Sequence, residues 1–191
     1  MVLDGYTKDK NHMPISNAII EIKGNDFATI YKTNSDSNGY YQFDIPEGDY
    51  PFLTAVKDYA VKYLEYWCQN IRLQQNMHLD IFFDTLEVYG LHTFTVKGSG
   101  NSRMVYFRPM SLHRYLLGES NIAPDEITIE ISIDGIICPM LVINRVLEYA
   151  DGKNLTAYLV QIKAKPDEAW QRIDVKITDS SGNQGMATIF N

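Results

Sequence analysis

The chain has 191 residues, enough for one large domain or two small ones. Hydrophobic residues make up 45% and charged residues 21%, which excludes disordered and fibrous classes. The formal charge is −7 and Lys and Arg form no cluster, which argues against a partner read through its phosphate backbone, so no nucleic acid is expected.

No run of about 18 apolar residues occurs, so no transmembrane segment is expected. The opening MVLDGYTKDK carries no apolar signal-peptide core. A cytosolic protein and a chain whose leader has been removed both fit that opening. Cys68 and Cys138 are the only cysteines. They fall in different predicted domains and in apolar strand contexts, so two free thiols are expected rather than a disulfide.

In chain order, Gly5-Tyr6-Thr7 opens the first strand, and Asp9 to Met13 is a polar turn before Pro14. Asn17 to Lys23 alternates, with Ala18, Ile20 and Ile22 on one side and Ile19 and Glu21 on the other. Gly24-Asn25-Asp26 is a turn, and Phe27 to Thr33 reads as a strand. Asn34 to Gly39 then delivers the chain into Tyr41 to Ile45, and Pro46-Glu47-Gly48-Asp49 turns it into a strand from Tyr50 to about Lys57. Tyr41, Phe43 and Ile45 share one face, and Gly39 and Gly48 stand where turns often need positive φ. Tyr59 to Arg72 carries a strand with Leu64, Tyr66 and Cys68 on one face and Tyr63, Glu65 and Trp67 on the other. Asn76 to Phe83 alternates again, with Met77, Leu79 and Ile81 inward. About seven short strands at this spacing predict a β-sandwich.

The order Gly5, Asp9, Pro14, Ala18, Ile20, followed by Thr33, Asp36, Gly39, Tyr41, Phe43, Pro46, Gly48 and Tyr50, resembles the carboxypeptidase regulatory-like domain. Thr7 stands where that family has Val, and one extra residue separates Thr33 from Asp36. The resemblance covers roughly residues 1–85. It implies a transthyretin-like β-sandwich, a non-catalytic accessory or adhesion-type role, and an extracellular or cell-surface location. One branch of the family accompanies metallocarboxypeptidases, whose catalytic domain is not in this chain.

The pattern blurs from Asp84 to Gly90, and the domain boundary is placed near Thr85, giving domains 1–85 and 86–191. Glu87 to Lys97 reads as a strand, Gly98 to Ser102 as a turn, and Met104 to Phe107 as the next strand. Ser111 to Gly118 is a helical turn or a loop. After the turn Pro124-Asp125-Glu126, Ile127, Ile129, Ile131 and Ile133 alternate with polar residues in the cleanest half-buried strand of the chain. Asp134-Gly135 is a hairpin turn, with Ile136 to Tyr149 pairing back. Asp151-Gly152 turns again, Leu155 to Ala164 is a strand, and Pro166-Asp167-Glu168 is a loop. The stretch Trp170 to Phe190, with Thr178-Asp179 and Gly182-Asn183 between two strands, resembles the last hairpin of bacterial immunoglobulin-like domains. The expected fold is therefore all-β: two tandem β-sandwiches, transthyretin-like then immunoglobulin-like.

The chemistry-bearing motifs are few. His12, His78, His92 and His113 are scattered, with no HxH, HxxE or HExxH, so no metal site and no cofactor are expected. The same sandwich fold underlies intradiol dioxygenases, but the paired histidines their iron needs do not occur here. Gly98-Ser99-Gly100 before Arg103 lacks the Lys-Ser/Thr pair and following helix of a phosphate loop. Asn34, Asp36 and Asn38 mimic the first positions of a calcium loop, yet Ile45 holds the place of its bidentate Glu. A side-chain-stabilised turn is the simpler reading of that stretch, with weak calcium binding as the other. Tyr59, Tyr63 and Trp67 form the one candidate ligand row. Their rings can stack on sugar faces, or they can pack against the second domain or a neighbouring chain. The expectation is a non-enzymatic binding module for a carbohydrate or protein partner, with a structural spacer or adhesion-type protein as the alternative.

Overall fold

The computed structural model describes residues 1–150, 152–165 and 169–191. The predicted turn at Asp151 and the loop Pro166-Asp167-Glu168 lie wholly or partly outside the described residues.

The described chain is all-β, a set of packed sheets with a single short helix. The first half holds β1 (Val2–Asp9), β2 (Ile19–Lys23), β3 (Thr29–Asn34), β4 (Tyr40–Asp44), β5 (Gly48–Val56), β6 (Tyr66–Leu73), β7 (Met77–His78) and β8 (Ile81–Phe83). The second half holds β9 (Leu86–Phe94), β10 (Ser102–Ser111), α1 (Leu112–Leu116), β11 (Ile127–Ile133), β12 (Ile136–Ile137), β13 (Met140–Ala150), β14 (Lys153–Lys163), β15 (Arg172–Asp179) and β16 (Gln184–Phe190). One sheet has the order β4-β1-β7, with β8 also pairing β1, and a second has the order β13-β14-β10-β9. The third runs β12-β11-β15-β16-β6-β5-β2-β3 and packs against both.

The alternation read from sequence decides which side chains fill the interior. Ala18, Ile20 and Ile22 are fully buried, as are Leu53, Cys68 and Ile71 behind them. Tyr41 and Phe43 of β4, and Ile45 just after it, close the same cluster. A second cluster gathers Val88, Val105, Phe107, Val160 and Ile162 against Ile131, Ile173, Val175 and Ile177. The clusters meet because β16 pairs in parallel with β6, Ala187 opposite Trp67 and Thr188 opposite Cys68. A buried polar chain fastens this seam. The Tyr66 hydroxyl lies 2.8 Å from Thr188 Oγ1, which donates to Asp174 at 2.6 Å, and Asp174 pairs with Arg172 at 2.7 Å.

Several local expectations are corrected. The strand predicted over Tyr59–Arg72 begins only at Tyr66. Asp58 and Ala60 take positive φ, and three N–H groups, of Val61, Lys62 and Tyr63, turn back to the Asp58 carbonyl. Phe27 likewise has positive φ and belongs to the turn before β3, not to the strand. Gly39 has φ of 77°, but Gly48 is regular strand at the start of β5. Asn76–Phe83 divides into two short strands, both parallel to β1. Only Ile136 and Ile137 pair back on β11. The chain then changes sheets at Cys138 and Pro139, and β13 pairs with β14 instead. Alternating apolarity reports a half-buried strand and carries no information on its neighbour, so a change of sheet is invisible in it. Both cysteines are free thiols, Cys68 buried and Cys138 half-buried.

Candidate functional site

The aromatic row predicted at Tyr59, Tyr63 and Trp67 divides in the structure. Tyr63 is half-buried in the turn before β6, its ring 5.9 Å from Phe83 and under the Lys62 ammonium, and it packs on the first core. Tyr59 lies in the same turn, half exposed, bridged to Tyr63 through the backbone. Trp67 is on β6 and points to the face away from Cys68, as strand alternation requires.

Trp67 is the centre of a different aromatic group. Phe27 stacks on Phe52 of β5, centroids 4.6 Å apart and planes 16° from parallel. Both meet the Trp67 indole nearly edge-on, at 6.2 and 6.4 Å. Tyr89 of β9 meets it from the other side at 5.4 Å and 85°. The Arg108 guanidinium of β10 then lies 4.7 Å over the Tyr89 ring, with its Nε 3.3 Å from Glu148 of β13. Phe27, Phe52, Trp67, Tyr89 and Arg108 thus form one strip from the β2–β3 turn across the seam between the two halves. Phe27 is half exposed; Phe52, Trp67, Tyr89 and Arg108 are each partly exposed.

Two carboxyls lie beneath this strip. Trp67 Nε1 donates to Glu87 Oε1 at 2.9 Å, and the Glu65 backbone N–H donates to Glu87 Oε2 at 3.3 Å. Glu87 is only 1% exposed. Burial, joined by the nearby charge of Glu65, pushes its pKa up to about 8 against the two hydrogen bonds it accepts. Burial also raises Glu65. The Tyr59 phenol is raised by burial and then by the charges of Glu87 and Glu65. The result is a surface of fixed rings with one indole locked in orientation, rimmed by hydrogen-bonding groups.

The other predicted positions are plainly placed. Asn34 ends β3, and Asp36 and Asn38 are exposed in the following turn. Asp36 Oδ1 accepts the N–H groups of Asn38 and Tyr40, at 2.8 and 2.9 Å. Among the described residues no group of three or more His, Cys, Asp or Glu side chains is placed to hold a metal ion. No helix among them is long and apolar enough to cross a membrane.

Sequence reasoning missed Phe27, Phe52, Glu87, Tyr89 and Arg108. One signal was present: Glu87 interrupts the apolar run Leu86-Glu87-Val88, and an acidic residue there calls for a partner.

No protein-family description matches the chain, and no curated protein matches it. Among solved structures, it is similar to a DUF3823 family protein from Bacteroides ovatus, at 11% identity and a TM-score of 0.34, over 99% of this chain and 97% of that one. A DUF3823 family protein from Parabacteroides merdae matches at 10% identity and 0.32, over 98% and 97%. The major pilin subunit BcpA of Bacillus cereus matches at 12% identity and 0.33, over 98% of this chain and 67% of the pilin. Similarity at this level leaves function to be argued from the site.

Proposed function

We propose that the protein is a non-catalytic binding module whose aromatic strip, Phe27–Phe52–Trp67–Tyr89 with Tyr59 beside it, recognises carbohydrate. The observation that carries this reading is Trp67, partly exposed and held in one orientation by Glu87. Ring faces offer apolar contact to the C–H faces of sugars, while Arg108 and Glu148 supply rim groups for hydroxyls. The rings are ordered against one another before any ligand arrives, which limits the entropic cost of binding. In this reading residues 1–85 form a carboxypeptidase regulatory-like unit, residues 86–191 form an immunoglobulin-like unit, and both serve secreted or surface machinery.

A structural spacer is the second reading, favoured by the pairing of β6 with β16, which runs one sheet through both halves. A glycan-array screen of the intact chain, repeated with Trp67→Ala and Phe27→Ala, separates the two. Binding that both substitutions abolish supports the carbohydrate module. No binding to any glycan discards it and moves the assignment to the spacer or to a protein ligand.

A further inference from the structure

The longest sheet edge is also the most apolar. Among the described residues β13 ends its sheet and pairs only with β14. Its sequence, MLVINRVLEYA, is exposed along almost its whole length, with Leu147 70% and Tyr149 76% exposed. Such an edge carries a row of N–H and C=O groups open to another strand, and proteins usually blunt it with charge, Pro or short length. β13 has 11 residues, no Pro, and only two charges. One of these, Glu148, is drawn back onto its own sheet by Arg108 and the Tyr106 hydroxyl. Next to it, Ile136 and Ile137 of β12 continue the apolar edge on the facing sheet.

We propose that β13 is a homodimerisation edge, pairing antiparallel with β13 of a second copy about a two-fold axis through Val146. The uninterrupted ladder to β14 runs from Val142 to Ala150, bounded by a bulge at one end and the hairpin connection at the other. Val146 is its midpoint. A two-fold axis perpendicular to the sheet keeps equivalent faces together. In this register Val146 faces Val146, Arg145 faces Leu147 of the second copy, Asn144 faces Glu148, and Ile143 faces Tyr149. No like charges meet, and the aliphatic–aromatic pair is a favourable cross-strand combination. Moving the axis to Arg145 sets two guanidinium groups against each other, which disfavours that alternative.

The size is also adequate. The exposed parts of Leu141, Val142, Ile143, Leu147 and Tyr149 amount to on the order of 500–600 Å² per copy, so two copies offer at most roughly 1,000–1,200 Å², the lower end of the range of specific interfaces.

Sedimentation velocity of the full chain over a wide dilution series tests the proposal, with Leu147→Lys as the variant. Leu147 is mostly exposed, so this change leaves the fold intact, to be checked by circular dichroism. The expected result is a dimer whose dissociation constant rises at least about tenfold in Leu147→Lys. Register is read by Val146→Cys in a Cys138→Ser background. Directly opposed cysteines on the axis form an intermolecular disulfide on mild oxidation, whereas Ile143→Cys alone does not and cross-links only when mixed with Tyr149→Cys. A wild-type monomer at every concentration overturns the proposal and leaves the edge to a strand of another protein. A dimer indifferent to Leu147→Lys, or one that Val146→Cys fails to cross-link, overturns it equally.

Discussion

Glu87 provides the sharpest test of the site. Its carboxyl is buried, its pKa stands at about 8 against an ordinary 4.5, and burial is the main cause. A carboxyl whose pKa is raised on folding favours the native state in its protonated form. That contribution is complete below the unfolded value and is lost as pH rises through the folded one. The window therefore runs from 4.5 to about 8. Over that interval the linkage of Glu87 amounts to at most about 4–5 kcal/mol, and neighbouring Glu65, also raised by burial, adds a loss of the same sign. For a chain of this size each kcal/mol moves the Tm by about 2–4 °C, so a fall of roughly 10 °C is expected. Thermal unfolding followed by circular dichroism from about pH 5 to about pH 9 measures it against Glu87→Gln. The amide keeps an acceptor for the Trp67 indole and cannot ionise. The wild type should lose stability across the window, while the variant keeps only the smaller loss that Glu65 contributes and overtakes it at the alkaline end. Parallel curves for the two proteins would refute the reasoning, since they would show a carboxylate in contact with water or fully compensated by its hydrogen bonds.

Two further outcomes follow from the turn and the seam. Asp36→Ala removes the acceptor for two backbone N–H groups and should cost about 1 kcal/mol, read as a lower Tm, while added calcium leaves the wild-type Tm unchanged; a calcium-dependent rise in Tm would instead assign the turn to the ion. Gly185→Ala places a Cβ 2.8 Å from the Leu86 carbonyl carbon and 3.0 Å from the Glu87 nitrogen, so β16 or β9 must shift, at a cost of about 1–3 kcal/mol in denaturant unfolding; Gly48→Ala, whose nearest neighbour is a Tyr50 ring atom at 3.8 Å, serves as the tolerated control.

The fold class was legible because alternation maps directly onto burial. Ala18, Ile20 and Ile22 were read onto one face, Tyr41, Phe43 and Ile45 onto another, and Leu79 and Ile81 inward, and all are buried. What alternation does not encode is which strand lies alongside. The parallel pairing of β16 with β6 joins residues more than a hundred positions apart, and no local signal announces it. The switch of β13 to a second sheet at Cys138 and Pro139 is hidden for the same reason. The turn over Tyr59–Leu64 was missed for a different one. It contains apolar and aromatic residues in a strand-like order, yet Asp58 and Ala60 adopt positive φ without glycine, held by backbone bonds to the Asp58 carbonyl.

That last error is also what obscured the site. Reading Tyr59, Tyr63 and Trp67 on one strand assigns them a common face, and the turn breaks that periodicity. Tyr63 rotates onto Phe83 while Trp67 continues along β6. The residues that do surround Trp67 come from separate elements, Phe27 before β3, Phe52 on β5 and Tyr89 on β9, with Arg108 of β10 over Tyr89, so no spacing in the sequence can gather them. Only Glu87 betrayed the place. A carboxyl between Leu86 and Val88 must either leave the core or find donors there, and the indole N–H is the side-chain donor it finds. One contact thus offsets part of the cost of burying that carboxyl and fixes the orientation of Trp67, and the strip draws on both halves because β6 and β16 join them.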